Sequence, residues 1–243
     1  MLFCFLVIKS KWEAKRIGFH LSDINPALKK YEDKLFPPND TATGDVQDCS
    51  AIRVFVPLCG KTIDMAYLTS KVGQVVGVDG IEMALEQFAL EQPELQIENK
   101  GVQNGFGRFV GKKITLLRGD FFELDEEKTS GRFETIFDRA SMVAIKPELR
   151  ESYIDVMGKL IAKGGAILLV VLERRGSEEA MKKGPPFSIP EDTVRDLYEG
   201  LEWVKSITVL GQEDQLIRNP EDKERYADLD ELLETVYLIQ AKE

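Results

Sequence analysis

Short β-branched runs alternate with stretches of helical spacing through most of this chain, and that alternation constrains the fold more than any other feature. Ile52 to Val56 reads as a strand and Thr62 to Lys71 as a helix stopped by Gly73. Gln74 to Val78 is a second strand, followed by a helix from Met83 to Glu91 that ends before Pro93. Ile114 to Leu117 and Phe133 to Phe137 supply two more strands. Pro147 to Lys163 is the clearest helix, because Leu149, Tyr153, Val156, Met157, Leu160 and Ile161 share one face. Gly164-Gly165 is expected to terminate it. Ala166 to Leu172 is wholly apolar, the mark of a strand covered on both faces at the centre of a parallel sheet. Pro190 to Gly200 reads as a further helix, with Ser206 to Leu210 and Val236 to Gln240 as closing strands. The pattern predicts an α/β fold: a mostly parallel, Rossmann-like sheet of about seven strands with helices on both faces.

The 243 residues suit a single domain over 1–243, opening with an N-terminal helical segment (1–36) and a polar loop (37–50). Asn25-Pro26 supplies a cap and first helical position for Ala27 to Leu35. The apolar run Met1 to Ile8 is followed, not preceded, by Lys9 and Lys11, and no small-residue cleavage site succeeds it. It is therefore no secretory signal, and it is far shorter than the ~20 residues of a membrane span. A formal charge of −10 excludes broad phosphate-backbone binding to nucleic acid and disfavours an anionic membrane surface. Cys4, Cys49 and Cys59 are too few and scattered for a disulfide framework or a metal site. The expectation is a cytoplasmic monomer.

In an open α/β sheet a ligand lies beyond the C-terminal ends of the strands. That selects three turns: Val56 to Thr62, Val78-Asp79-Gly80, and Arg118-Gly-Asp-Phe121. Asp79 follows Gly60 by 19 residues, a separation that sets a carboxylate beside the first loop, within reach of ribose hydroxyls. A dinucleotide site requires G-x-G-x-x-G, whose backbone approaches a pyrophosphate. Here the window holds one glycine, with a proline that removes a donor. S-adenosylmethionine carries no phosphate and tolerates such a loop, so the missing glycines favour it over NAD. The absence of G-x-x-x-x-G-K-[ST] excludes a P-loop.

Five stretches resemble the thiopurine S-methyltransferase family of class I methyltransferases: Trp12 with Arg16 to His20, Val56-Pro-Leu-Cys-Gly-Lys61, Val76-Gly-Val-Asp79, Phe137-Asp-Arg139 with Val143-Ala-Ile145, and Gly184-Pro-Pro-Phe187. They occur in the family's order and spacing. The resemblance implies that the segment from Trp12 to Phe19 forms a lid over S-adenosylmethionine, with Phe19 also facing the acceptor. It implies that Leu58 and Gly60 line the cofactor loop, Asp79 holds the ribose, Asp120 and Phe121 flank the adenine, and Arg139 reaches the cofactor region. Pro185, Pro186 and Phe187 would wall the acceptor pocket, and a late cation, Arg225 or its rival Lys223, would lie near the acceptor. Two departures stand out: Asp79 where the family usually has Glu, and Ile8 where it often has an aromatic residue.

The implied chemistry is methyl transfer from a sulfonium to an aromatic or heterocyclic thiol such as a thiopurine. Charge is destroyed in the transition state, so a dry pocket helps. An acidic thiol arrives ionised and needs no general base, in keeping with a single histidine, His20, read as a packing residue. Arg139 or Arg225 would position the anionic acceptor. Cys59 reads as a small pocket-lining side chain, Asp138-Arg139 as either a pocket element or a strand-end ion pair. Two alternatives stand beside this reading: a halide, small-thiol, selenium or tellurium methyltransferase of the same family, and a non-catalytic binding protein of the same fold.

Overall fold

One nine-stranded sheet organises the chain, which the computed structural model describes at residues 10, 12–14, 20–36 and 48–243. The expectations for Met1 to Ile8, for Phe19 and for most of the polar loop lie outside the described residues. The strands are β1 (Arg53–Val56), β2 (Gln74–Asp79), β3 (Glu98–Gln103), β4 (Phe106–Gly111), β5 (Ile114–Arg118), β6 (Phe133–Arg139), β7 (Ile161–Gly176), β8 (Val204–Asp214) and β9 (Leu229–Ala241). Their order is β3-β4-β5-β2-β1-β6-β7-β9-β8. The five central strands, β5-β2-β1-β6-β7, are parallel; β3 and β4 on one flank and β9 and β8 on the other are antiparallel.

All seven expected strands are present, and two more exceed the count. The additional pair is the hairpin β3–β4, turned at Asn104 and Gly105, both with positive φ. No residue of β3 is buried, so its sequence carries no apolar alternation to betray it.

Helices cover both faces. They are α1 (Pro26–Tyr31), α2 (Asp64–Thr69), α3 (Glu82–Glu91), α4 (Arg150–Leu160), α5 (Glu178–Lys182), α6 (Glu191–Tyr198) and α7 (Gln215–Arg218). Successive strand residues point to opposite layers. Val54 and Val56 pack with Leu28 of α1, Leu68 of α2 and Phe88 of α3. Phe55 between them packs with Tyr153 and Met157 of α4 and, through the same cluster, Tyr198 of α6. The apolar run in β7 splits likewise, Ile167, Leu169 and Val171 to the second layer and Leu168 and Val170 to the first.

The α1 start is as expected: the Asn25 side chain accepts from the N–H groups of Ala27 and Leu28, with Pro26 in the first turn. The end of α4 is not. The helix stops at Leu160, and Gly164-Gly165 fall inside β7, whose pairing with β6 begins at Ile161.

Gly77 in β2 shows how tightly the sheet is packed beneath the first loop. A Cβ there would lie 2.7 Å from Cys59 Sγ and 2.9 Å from Met65 Sδ. Gly77→Ala is therefore expected to destabilise the protein by about 1–3 kcal/mol through overpacking, read as a lower midpoint in denaturant with an unchanged slope.

Candidate active site

The chain leaves β1 toward β2 and β5 on one side, and later crosses to β6 and β7 on the other. The strand order therefore reverses between β1 and β6, the place where such sheets bind ligands. A cavity of about 570 Å³ opens there, lined by the loops that follow β1, β2, β5 and β6 and by side chains from β7, α7 and the segment before β9.

Hydrogen bonds lock these loops to one another. Cys59 N–H donates to Val78 C=O at 2.9 Å, and Gly119 N–H to Asp79 C=O at 3.2 Å. The Ser141 hydroxyl donates to Pro57 C=O at 2.6 Å, stapling the loop after β6 to the loop after β1. The Asp79 carboxylate accepts from Gly60 N–H through Oδ2 at 2.8 Å and from Ile81 N–H through Oδ1 at 2.7 Å. Burial raises the Asp79 pKa to about 6 despite these two donors. Leu58 and Ala140, at the ends of β1 and β6, both adopt positive φ, a conformation that costs a non-glycine residue free energy and clusters at ligand sites.

Gly60 also has positive φ (+52°), and a Cβ there would lie 3.2 Å from the Trp12 ring. Trp12 is buried against Ile81 and Ala84 and lies over this glycine at the mouth of the loop. Phe121 lines the cavity, but its ring belongs to the core stack, 4.5 Å from Tyr153 and 6.4 Å from Phe55.

Of the residues singled out in the sequence, Trp12, Leu58, Gly60, Asp79, Asp120, Phe121, Arg139, Pro185, Pro186 and Arg225 all line this one cavity. Phe187 does not. Its N–H donates to Val143 C=O at 2.7 Å, and its ring folds back over Gly184. Between the two late cations the fold selects Arg225, which lines the cavity, whereas Lys223 is absent from the lining. His20 is on the cavity wall, with its pKa lowered by burial and by Lys61. Cys59 is a lining residue whose thiol is pushed well up by burial, so it holds its proton and is a poor nucleophile.

Asp138 forms no strand-end pair of the kind one reading foresaw. Its carboxylate accepts from Tyr153 Oη at 2.8 Å and Met142 N at 3.2 Å, and burial raises its pKa to about 6. Arg139 is desolvated, and the charges of Asp64 and Glu234 act on it in compensation.

The sequence reading missed Asn25, Asp64, Gln215, Arg218, Tyr226 and Glu234, which also line the cavity. Asp64 is fixed by Asn25 N–H (2.7 Å) and the Thr62 hydroxyl (2.8 Å). Arg218 pairs with Glu234 at 3.0 Å and donates to Gln215 Oε1 at 2.9 Å.

Solved structures with this architecture include methyltransferases, and the likeness shows the fold alone. One is Burkholderia thailandensis 1,6-didemethyltoxoflavin-N1-methyltransferase with 1,6-didemethyltoxoflavin and S-adenosylhomocysteine bound: TM-score 0.57, 16% identity, 98% of this chain and 87% of that one. Another is CrArsM, an arsenic(III) S-adenosylmethionine methyltransferase from Chlamydomonas reinhardtii: TM-score 0.54, 16% identity, 89% and 74% covered.

The family described as Thiopurine S-methyltransferase (TPMT) matches residues 8–242. The thiopurine S-methyltransferase of Shewanella woodyi is 36% identical over 217 residues, 87% of each chain. That of Aliivibrio salmonicida is 33% identical over 236 residues, 96% of this chain and 97% of its own. The chain belongs to the thiopurine S-methyltransferase family and is an S-adenosylmethionine-dependent methyltransferase.

The residues present fit that cofactor. The N–H groups of Cys59 and Gly60 are already consumed by Val78 and Asp79, and Pro57 has none. The loop's glycine N–H is therefore engaged by Asp79 rather than turned toward a pyrophosphate, and the loop sits beside that carboxylate with an apolar rim.

Proposed function

We propose that this enzyme transfers the cofactor's methyl group to the sulfur of aromatic or heterocyclic thiols, thiopurines among them. The observation that supports this reading is the far end of the cavity. There Pro185, Pro186, Val170, Leu172 and Tyr226 line the same cavity as Arg139 and Arg225, and the Arg225 guanidinium carbon lies 5.1 Å from the centre of the Tyr226 ring. An apolar slot with a few convergent cations suits a flat, anionic ring.

Asp79, Gly60, Leu58, Asp120 and Phe121 would hold the adenosyl group, with Trp12, and Phe19 beyond the described residues, closing the cofactor end as a lid. S-adenosylmethionine supplies, when bound, a methyl group on a positively charged sulfur. The residues around it exclude water, which otherwise stabilises the separated charges of the ground state. The prolines present a surface that is already ordered, so the acceptor is aligned at little entropic cost. Arg139 and Arg225 favour the ionised form of the acceptor, and no side chain is needed to take a proton. A guanidinium that gripped the sulfur itself would stabilise the ground state, so we place Arg225 on the ring. The enzyme would act on small molecules as a cytoplasmic monomer; no helix among the described residues is long and apolar enough to cross a membrane.

Methyl-labelled S-adenosylmethionine offered with 6-mercaptopurine, thiophenol, iodide and selenite tests the assignment. Label is expected on the two thiols. Label on iodide or selenite alone overturns the thiol reading, and no product from any acceptor with S-adenosylhomocysteine still bound leaves only a binding protein.

A further inference from the structure

The two walls of the acceptor end come from segments that are far apart in the chain, and both meet one buried arginine. The first wall, Pro185-Pro186, follows α5. The second holds Arg225 and Tyr226, in the segment between α7 and β9. Arg174 lies near the end of β7, outside the cavity lining, with 5% of its side chain exposed.

Arg174 Nε donates to Ala180 C=O in α5 at 2.9 Å, and its backbone N–H donates to Ser188 Oγ at 2.9 Å. Both contacts hold the proline wall, one on each side of it. Toward the other wall, the guanidinium carbon is 5.8 Å from the centre of the Tyr226 ring, and an η nitrogen is 4.0 Å from Asp228 Oδ2. Asp228 Oδ2 also takes Lys183 Nζ at 2.9 Å, just ahead of Gly184. The proline wall is also fastened through Phe187 N–H to Val143 C=O, Ile189 N–H to Leu172 C=O, and the Arg150 guanidinium to Ser188 C=O at 3.0 Å.

We propose that Arg174 is a positioning residue that sets the width of the acceptor slot by tying the Pro185–Pro186 wall to the Arg225–Tyr226 wall, with Asp228 as its anionic partner. The inference rests on the reading of this end of the cavity as the acceptor site. The Lys183–Asp228 pair is largely exposed, and such pairs contribute little alone. The buried guanidinium carries the link because it meets both segments at once. Its contacts lie at the acceptor end and none of them reaches the Asp79 loop, so its effect falls on acceptor binding and spares the cofactor.

Arg174→Met keeps length, apolar bulk and the backbone N–H to Ser188 Oγ, while removing the charge and the side-chain donors that reach Ala180 and Asp228. The expected result is an acceptor KM raised roughly tenfold, kcat within about threefold, and an unchanged Kd for S-adenosylhomocysteine. Amide exchange at Phe187 and Ile189 is expected to speed up by about tenfold, while that of Gly60 and Ile81 stays as in the wild type. Arg174→Lys is expected to recover part of the acceptor KM. Asp228→Asn, on the exposed side of the link, is expected to repeat the pattern more weakly and serves if Arg174→Met fails to fold. Wild-type acceptor KM and exchange rates in Arg174→Met, or in Asp228→Asn alone should the first not fold, overturn the proposal. So does an equal loss of acceptor and S-adenosylhomocysteine binding, which marks general loosening. If the wild type methylates no thiol, the thiol reading fails, and the exchange rates at Phe187 and Ile189 still decide whether Arg174 ties the walls.

Discussion

Asp79→Asn is expected to weaken S-adenosylhomocysteine binding about a hundredfold and to destabilise the apo protein by about 1–3 kcal/mol. The carboxylate accepts from Gly60 N–H with one oxygen and from Ile81 N–H with the other, so both turns depend on it. A carboxamide accepts with only one of these positions and presents an NH₂ to the second donor. Calorimetric titration and a denaturant curve read the two quantities, and a wild-type affinity would remove Asp79 from the cofactor site.

The same carboxylate predicts a pH dependence. Its folded pKa of about 6 lies above the ordinary aspartate value of 3.8, so the folded state keeps a proton that the unfolded chain has lost between those values. Stability from this group is therefore greatest in acid and falls as pH rises toward 6, by up to about 3 kcal/mol. Asp138, also raised to about 6, adds in the same direction. Cofactor affinity runs the opposite way. The ionised Asp79 is the stronger acceptor for N–H and hydroxyl donors, so the Kd for S-adenosylhomocysteine should rise as pH drops below 6. In Asp79→Asn this slope should vanish. Its persistence in the variant would assign it to another group.

Arg139→Met carries the second large effect: about a hundredfold lower kcat/KM for a thiol acceptor. Its guanidinium is desolvated beside Asp64 and Glu234, which are themselves buried. Removing it also takes away a charge that favours the ionised, buried Asp64, while Glu234 keeps its pair with Arg218, at a cost to stability of about 1–3 kcal/mol. Arg139→Lys keeps the charge and is expected to retain the stability while losing the planar fork that suits an aromatic anion. On the proposal that Arg139 favours the ionised acceptor, the loss in Arg139→Met should be greatest at pH values below the thiol's own pKa. Equal kinetics in wild type and Arg139→Met across pH would take Arg139 out of the acceptor end.

The strand-end part of the candidate site was legible in the sequence. Once β-branched runs mark the strands, the turns that follow them mark the cavity, and Leu58, Gly60, Asp79 and Asp120 fall out directly. The rest of the lining was not legible from pattern. Gln215, Arg218, Tyr226 and Glu234 come from α7, from the segment after it and from an antiparallel strand, and no periodicity brings them together. Arg225 and Lys223 were indistinguishable until the fold placed one at the cavity. Phe187 looked like pocket wall through its motif, yet the chain turns so that Pro185 and Pro186 face the cavity and the ring does not. The hairpin β3–β4 had one usable signal, Asn104-Gly105, a dipeptide suited to a tight hairpin turn. The strand beside it, Glu-Asn-Lys-Gly-Val-Gln, is too polar to read as one.

The position of β9 bears on how this protein is made. It lies between β7 and β8, so β8 touches the rest of the sheet only through a strand synthesised after it. On the ribosome, a chain that has emerged as far as β8 has a nearly complete parallel core but no template for its newest strand. Vectorial folding thus ends with an insertion, and until then the exposed flank of β7 is the nascent chain's most adhesive edge.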